Sequence, residues 1–177
     1  MPQINIIGAS GTGKTTLATA LAKTLVCPHF DSDDYFHLPS DPPFQAQRPP
    51  EERLSLLVAD LGPYIDWVFS GSVIGWGSHP RLSFSLIVFL YLEPEIRLSR
   101  LRQREQARFG ARLAPGGDMH QDHLDFMEWT ADYDSGFAEL NNLRIHSDWL
   151  NRQSCPVLRL SEPLSPEVQI ERILAAI

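Results

Sequence analysis

Gly8-Ala9-Ser10-Gly11-Thr12-Gly13-Lys14-Thr15 is the stretch on which the reading of this chain turns. It fits G-x-x-x-x-G-K-[ST] at every fixed position. Glycines at these places let successive backbone N–H groups turn inward around an anion, because no Cβ blocks the required dihedrals. The flanks suit the same reading. Gln3 to Ile7 is a short apolar strand, and Lys14 to Leu25 is helical, with Leu17, Leu21 and Leu25 four apart on one face. The helix points its positive end at whatever the loop holds. The pattern therefore predicts a cradle for nucleotide phosphates, with ATP and Mg²⁺ as the expected ligands. Its binding residues are Gly8, Ala9, Ser10, Gly11, Thr12, Gly13, Lys14, Thr15 and Thr16, with Lys14 reaching the β- and γ-phosphates and the Thr15 hydroxyl the cation.

Working outward, a second short strand is expected at His29 to Asp31, followed by the acidic run Asp31-Ser32-Asp33-Asp34. Leu38 to Pro50 is proline-rich and irregular. Pro49, Pro50, Glu51 and Glu52 mark a helix start, continued by Leu54, Leu57, Val58 and Leu61. Trp67 to Phe69 is a strand ending in Ser70-Gly71-Ser72, and Leu86 to Leu92 is a continuous apolar strand of the kind buried in parallel sheets. A basic helix runs from Pro94 to about Arg108. Phe109 to Asp118 is a glycine-containing loop, Glu128 to Asn151 is helical with loops, Pro156 to Leu160 is a last strand and Pro166 to Ile177 a last helix. Strands alternating with helices predict a three-layer α/β domain, a parallel sheet covered on both faces.

Composition sets limits. The 177 residues carry a net charge of −7, which argues against a broad nucleic-acid or anionic-membrane surface. Cys27 and Cys155 are too few and too far apart for a metal cluster, and read as reduced thiols. Met1 to Gln3 lead straight into a strand, and the longest apolar run is far too short to span a bilayer. The expectation is a soluble cytoplasmic protein, monomer or homodimer, that works on small molecules.

Three features bear on what the cradle serves. Carboxylates of the Asp31–Asp34 run, at the end of strand two, face the ligand crevice of an open sheet. There they orient cation-bound water or take a proton from a hydroxyl, Asp33 above all; the same residues also read as a helix cap or turn. Arg97, Arg100, Arg102, Arg104, Arg108 and Arg112 form a basic set, and Arg100, Arg104 and Arg108 share one helix face. They read either as phosphate-closing groups or as a solvated helix paired with Glu93, Glu95 and Glu105. Finally, the strand near Trp67 ends in Ser70 where hydrolytic ATPases of this loop type carry Asp.

At these residues the chain resembles the adenylate kinase, shikimate kinase and gluconate kinase branch of P-loop kinases. The loop, the D-x-D-D run, S-G-S and the helix R-L-R-Q-R carry the resemblance. It implies a five-stranded parallel sheet with a helical lid, one domain over residues 1–177 with the lid and a helical insertion at about 100–151. It implies transfer of the ATP γ-phosphoryl group to a nucleotide, nucleoside or hydroxy acid. By the same resemblance Asp33 contacts the acceptor and Asp31 lies near the metal with Thr15. Gly71 and Ser72 stand in the acceptor loop, Arg100 stacks on adenine, and Arg104 and Arg108 act with Lys14 and Asp33 in catalysis. Arg48 and Arg53 fall in the acceptor region and suit an anionic group. The D-G-F-P-R signature of nucleoside monophosphate kinases is absent, which leaves the acceptor open. An ATP-binding regulatory protein or slow ATPase is the alternative. His120 and His123 have helical metal-ligand spacing but no third ligand, and read as a surface pair.

Overall fold

The computed structural model describes residues 1–136 and 141–177. Among them the chain forms five strands and seven α-helices. In order these are β1 (Gln3–Gly8), α1 (Lys14–Leu25), β2 (His29–Asp31), α2 (Ser32–Phe36), α3 (Pro50–Leu61), β3 (Trp67–Ser70), β4 (Leu86–Leu90), α4 (Pro94–Phe109), α5 (His120–Ala131), α6 (Leu143–Leu150), β5 (Val157–Leu160) and α7 (Pro166–Leu174). The strands make one all-parallel sheet in the order β2-β3-β1-β4-β5.

The period-2 alternation of the central strands builds both cores. Ile4 and Ile6 of β1, with Val68, Leu86, Val88 and Leu90, face α1 and α7 through Leu17, Leu21 and Ile173. On the opposite face Trp67 and Phe69 lie with Leu57 and Leu61 of α3. Ile7, Ile87 and Phe89 lie there too, under Leu150 of α6. Leu21 and Leu57 are fully buried, and truncating either to alanine is expected to cost about 2–5 kcal/mol. The chain passes from β1 to β2, returns to β3 beside β1 and then crosses β1 to β4, so the winding reverses between β3 and β1, and the carboxyl ends of β1, β2 and β3 frame a crevice there.

Most expected elements stand within a residue or two of their predicted ends. Three differ. Asp31-Ser32-Asp33-Asp34 opens a short helix, α2, because Asp31 caps it: its Oδ1 accepts from Asp33 N at 3.0 Å. The last helix stops at Leu174, short of Ile177. The expected helical stretch Glu128 to Asn151 resolves into the end of α5 and all of α6, with residues 137–140 outside the described ones. Among the described residues, no helix is long and apolar enough to cross a membrane.

Candidate active site

The loop between β1 and α1 is shaped by what lies behind it. Gly11 has φ +82°, and a Cβ there would meet the Arg97 carbonyl oxygen at 2.7 Å and Leu101 Cγ at 3.0 Å, so α4 packs against the loop at a distance only glycine permits. Thr12 Oγ1 donates to Ala9 O at 2.8 Å and braces the turn. Helix α1 begins at Lys14 with Gly13 as its N-cap, and like α3, α4 and α5, and unlike α2, α6 and α7, it has no side-chain cap. Its first N–H groups are left for an anion. Lys14 Nζ folds onto the loop and donates to Ala9 O at 2.8 Å. Burial draws its pKa down to about 8, against the pull of Asp33 and Asp31.

Asp31 sits at the end of β2, level with Ser70 of β3. Its Oδ2 accepts from Thr15 Oγ1 at 2.7 Å and from Ser70 Oγ at 2.6 Å. The residue is thus both the cap of α2, as one reading of the sequence has it, and the partner of the loop threonine. Ser70, where β3 carries no aspartate, reaches the Asp31 carboxylate of the neighbouring strand by its hydroxyl. His29 Nε2 lies 2.8 Å from Ser70 Oγ. A hydroxyl oxygen and a carboxylate are hard ligands, so Thr15 and Asp31 fit a magnesium ion by chemistry and by position beside the cradle.

Asp33 stands at the crevice mouth in the first turn of α2. Enclosure by the surrounding protein and the nearby Asp31 carboxylate push its pKa up, while Lys14, His37 and Arg104 pull it down. Arg53, which the sequence left open as an ordinary surface residue, is 7% exposed. Its guanidinium lies 3.8 Å above the Phe36 ring and 5.9 Å from Trp76. Its Nε donates to Arg48 O, and Arg48 Nε in turn donates to Tyr35 O at 3.1 Å. Among the described residues no carboxylate forms an ion pair with Arg53. Burial lowers its pKa, and the nearby Glu51 carboxylate offsets that in part. Gly71 has φ +111°, and a Cβ there would fall 1.9 Å from Ser32 Oγ, which presses the exit of β3 against α2. The Ser72 hydroxyl is turned locally and accepts from Ile74 N at 3.2 Å.

The basic set divides. Arg100 Nη1 reaches 4.0 Å from the Cβ position of Gly13, over the loop. Arg104 pairs with Glu105 at 2.8 Å and contributes to the field at Lys14 and Asp33. Arg108 lies against the Phe44 and Phe109 rings, at 5.8 and 5.3 Å from their centroids. Arg112 bridges Asp118 at 2.6 Å and Asp41 at 2.9 Å, joining the segment after α4 to the loop after α2. Gln45 Nε2 adds a bond to Asp122 Oδ2 at 2.7 Å across the same seam. Arg97 matches neither expectation, phosphate contact or solvated helix: it is fully buried, donates to Leu92 O at 2.9 Å and Thr130 O at 3.2 Å, and pairs with Asp134.

Two side chains were missed entirely. Asn5, polar within an apolar strand, donates to Phe69 O at 3.3 Å and Gly71 O at 3.0 Å and so fixes the loop that leaves β3; a lone Asn in that run was the available signal. His146 of α6 is fully buried, with Nδ1 2.8 Å from Tyr133 Oη. Burial, and secondarily Lys14, press its pKa down to about 3. Nothing in its own stretch of sequence marks it. His120 Nδ1 bonds to Leu113 O at 2.8 Å, and no metal-binding group of three ligands occurs among the described residues.

A parallel sheet of this order, a glycine-rich loop leading into an uncapped helix, and carboxylates at the adjoining strand end define a P-loop domain with the fold of the small-molecule kinases. The chain matches the AAA domain family over residues 4–112 and belongs to it. It is 39% identical over 171 residues to the uncharacterized protein YqaC of Bacillus subtilis (strain 168), covering 97% of this chain and 94% of that one. Among solved structures it is similar to shikimate kinase from Acinetobacter baumannii in complex with shikimate (TM-score 0.54, 16% identity, 98% of this chain and 91% of that). It is also similar to a gluconokinase from Sinorhizobium meliloti 1021 (TM-score 0.54, 15% identity, 99% and 90%). Deoxyadenosine kinase from M. mycoides with bound dATP is a third (TM-score 0.52, 13% identity, 97% and 97%). At such identities these likenesses concern the fold alone.

Proposed function

We propose that this chain is a cytoplasmic, ATP-dependent phosphotransferase, a single domain over residues 1–177 whose segment 100–151 is lid and insertion. It moves the γ-phosphoryl group to a small acceptor that carries a hydroxyl and an anionic group. The observation that carries this reading is the pairing of a desolvated Lys14 with Asp33, whose carboxyl is held above its usual range, at the mouth of one cradle. A carboxylate made more basic in this way suits proton abstraction.

In the proposed step, Asp33 takes the proton of the acceptor hydroxyl. The hydroxyl oxygen forms a bond to the γ-phosphorus as the bond from phosphorus to the β,γ-bridging oxygen breaks, and ADP leaves. Lys14, the loop N–H groups and the start of α1 neutralise the charge on the transferring oxygens, and Arg104 and Arg108 close over them with Arg100 at the base. Thr15 and Asp31 would hold Mg²⁺, which when bound would supply charge neutralisation at the transferring phosphates. Arg53, stacked on Phe36 and in no ion pair among the described residues, receives the acceptor's anionic group with Arg48, beside Gly71 and Ser72. Its Nε is spent on Arg48 O, and burial of the remaining guanidinium N–H groups is a cost that an incoming carboxylate or phosphate relieves.

The test is ADP release from Mg·ATP with and without a panel of hydroxylated acids, nucleosides and nucleoside monophosphates, with the product identified by phosphorus NMR. Stimulation by one acceptor, lost by about 10²–10⁴-fold in Asp33→Asn with ATP binding retained, is the expected result. Release that no acceptor stimulates and that Asp33→Asn leaves unchanged would point to a slow ATPase or a nucleotide-reading protein instead.

A further inference from the structure

Helix α1 and strand β2 lie side by side with matched spacing. Thr15 and Thr19 are one turn apart on α1, a rise of about 6 Å for four residues. His29 and Asp31 are two apart on β2, on the same face, a rise of about 6.6 Å. The two elements run in opposite senses, so Thr15 meets Asp31 at 2.7 Å and Thr19 meets His29 at 3.3 Å. Ser70, on the neighbouring strand, closes the square: its hydroxyl touches Asp31 at 2.6 Å and His29 Nε2 at 2.8 Å.

Proton counting fixes the directions. A carboxylate donates nothing, so the single Ser70 hydroxyl proton points to Asp31 Oδ2. Ser70 Oγ therefore presents a lone pair to His29, and Nε2 must carry a proton to meet it. On the other side, the Thr19 proton has two acceptors in reach, Thr15 O at 2.8 Å and His29 Nδ1. The ring is held as the Nε2–H tautomer, and its donor keeps the Ser70 hydroxyl from turning away from Asp31.

We infer that His29 is a positioning residue for the cation side of the cradle. Through Ser70 it locks Asp31 in the orientation that accepts the Thr15 proton, which leaves the Thr15 oxygen lone pair directed at a bound divalent cation. The inference rests on the proposed reading of Thr15 and Asp31 as the metal side, and on geometry that fixes who donates to whom. His29 itself touches neither phosphate nor cation in this arrangement. Partners one bond removed from a metal ligand, as Ser70 is from Asp31, commonly change metal affinity by about 10- to 100-fold when removed, and His29, one bond further out, is expected at the low end of that range.

The experiment measures Mn²⁺ affinity by electron paramagnetic resonance in the presence of saturating β,γ-imido analogue of ATP. It compares the full chain with His29→Gln, His29→Met, Ser70→Ala, His29→Met/Ser70→Ala and Thr15→Val. Glutamine can place an N–H near Ser70; methionine has similar bulk and no donor. His29→Met is expected to weaken Mn²⁺ binding about tenfold while metal-free nucleotide affinity stays unchanged, and His29→Gln to recover most of that loss. The double variant is expected to match Ser70→Ala alone, because His29 acts through Ser70. In the full chain, long-range proton–nitrogen correlation is expected to place the His29 proton on Nε2. Equal affinities for the Gln and Met variants, additive losses in the double variant, or a proton on Nδ1 overturns the role of His29. Mn²⁺ affinity that Thr15→Val leaves unchanged overturns the metal-side reading, and this inference with it.

Discussion

The floor of the crevice and its roof are built by different means. The floor consists of the loop, Asp31, Ser70 and His29, on strand ends and the first turns of a helix, joined by bonds of 2.6–2.8 Å that link three separate elements. The roof hangs from α4, whose Arg100, Arg104 and Arg108 are exposed, and its ties to the opposite wall are surface pairs such as Arg112 with Asp41. A group that must recognise the same phosphates on every cycle belongs on rigid elements, and one that must open for substrate belongs on a helix end with weak contacts. The buried anchor of Arg97 divides the two, since it fixes the start of α4 while the far end stays exposed.

That division can be broken most severely at the anchor. Arg97→Ala empties a fully buried site and leaves the Leu92 and Thr130 carbonyls without their donor, and is expected to cost about 2–5 kcal/mol of folding stability, read by urea unfolding. Next comes the floor. Lys14→Met is expected to reduce Mg·ATP affinity or turnover by about 10²-fold or more, with unfolding unchanged or slightly improved because a desolvated cation has gone. Smaller again is the effect of acid at α6. In the folded chain His146 protonates at about 3, against 6.5 for an ordinary histidine, so the unfolded chain takes up the proton first. Stability is then lost as pH falls below 6.5, at roughly 1.4 kcal/mol per pH unit from this group. His146→Phe is expected to flatten that slope in melts taken between pH 7 and 5, and an unchanged slope would assign the acid sensitivity elsewhere. The smallest effect belongs to the roof. Arg112→Gln is expected to leave the melting temperature unchanged within error, because exposed pairs contribute little. It should nevertheless speed hydrogen exchange in residues 38–47 and 109–118.

The floor was largely readable in the sequence and the anchor was not, for a physical reason. The loop works through backbone and glycine conformation, so its fingerprint is contiguous, and Leu86 to Leu90 announces a buried strand by hydrophobicity alone. Lys14, Thr15, Asp31 and Asp33 were found because each follows a strand end at short range. Arg97 looked like one more arginine of a basic helix, since its partners, Thr130 and Asp134, come more than 30 positions later. Arg53 is enclosed by Phe36 and Trp76, a stacking that no spacing rule encodes. The ladder of Thr15, Thr19, His29 and Asp31 is regular enough to be read from sequence, but only once α1 is known to lie along β2.

The near-contact of Gly11 with α4 has a mechanical consequence. Helix α4 is 16 residues long, about 24 Å, and its Arg97 carbonyl abuts the phosphate loop near one end, while buried Leu101 and Glu105 and the packing of α5 hold it further along. A shift of the loop would therefore be passed to α4 and α5 as one packed unit, pivoting at the cradle. A tilt of about 5° at that pivot swings the tip, with Arg108 on it, by about 2 Å over such a length. Filling of the cradle by phosphate, were it to shift the loop slightly, would in this way be magnified at the far end of α4.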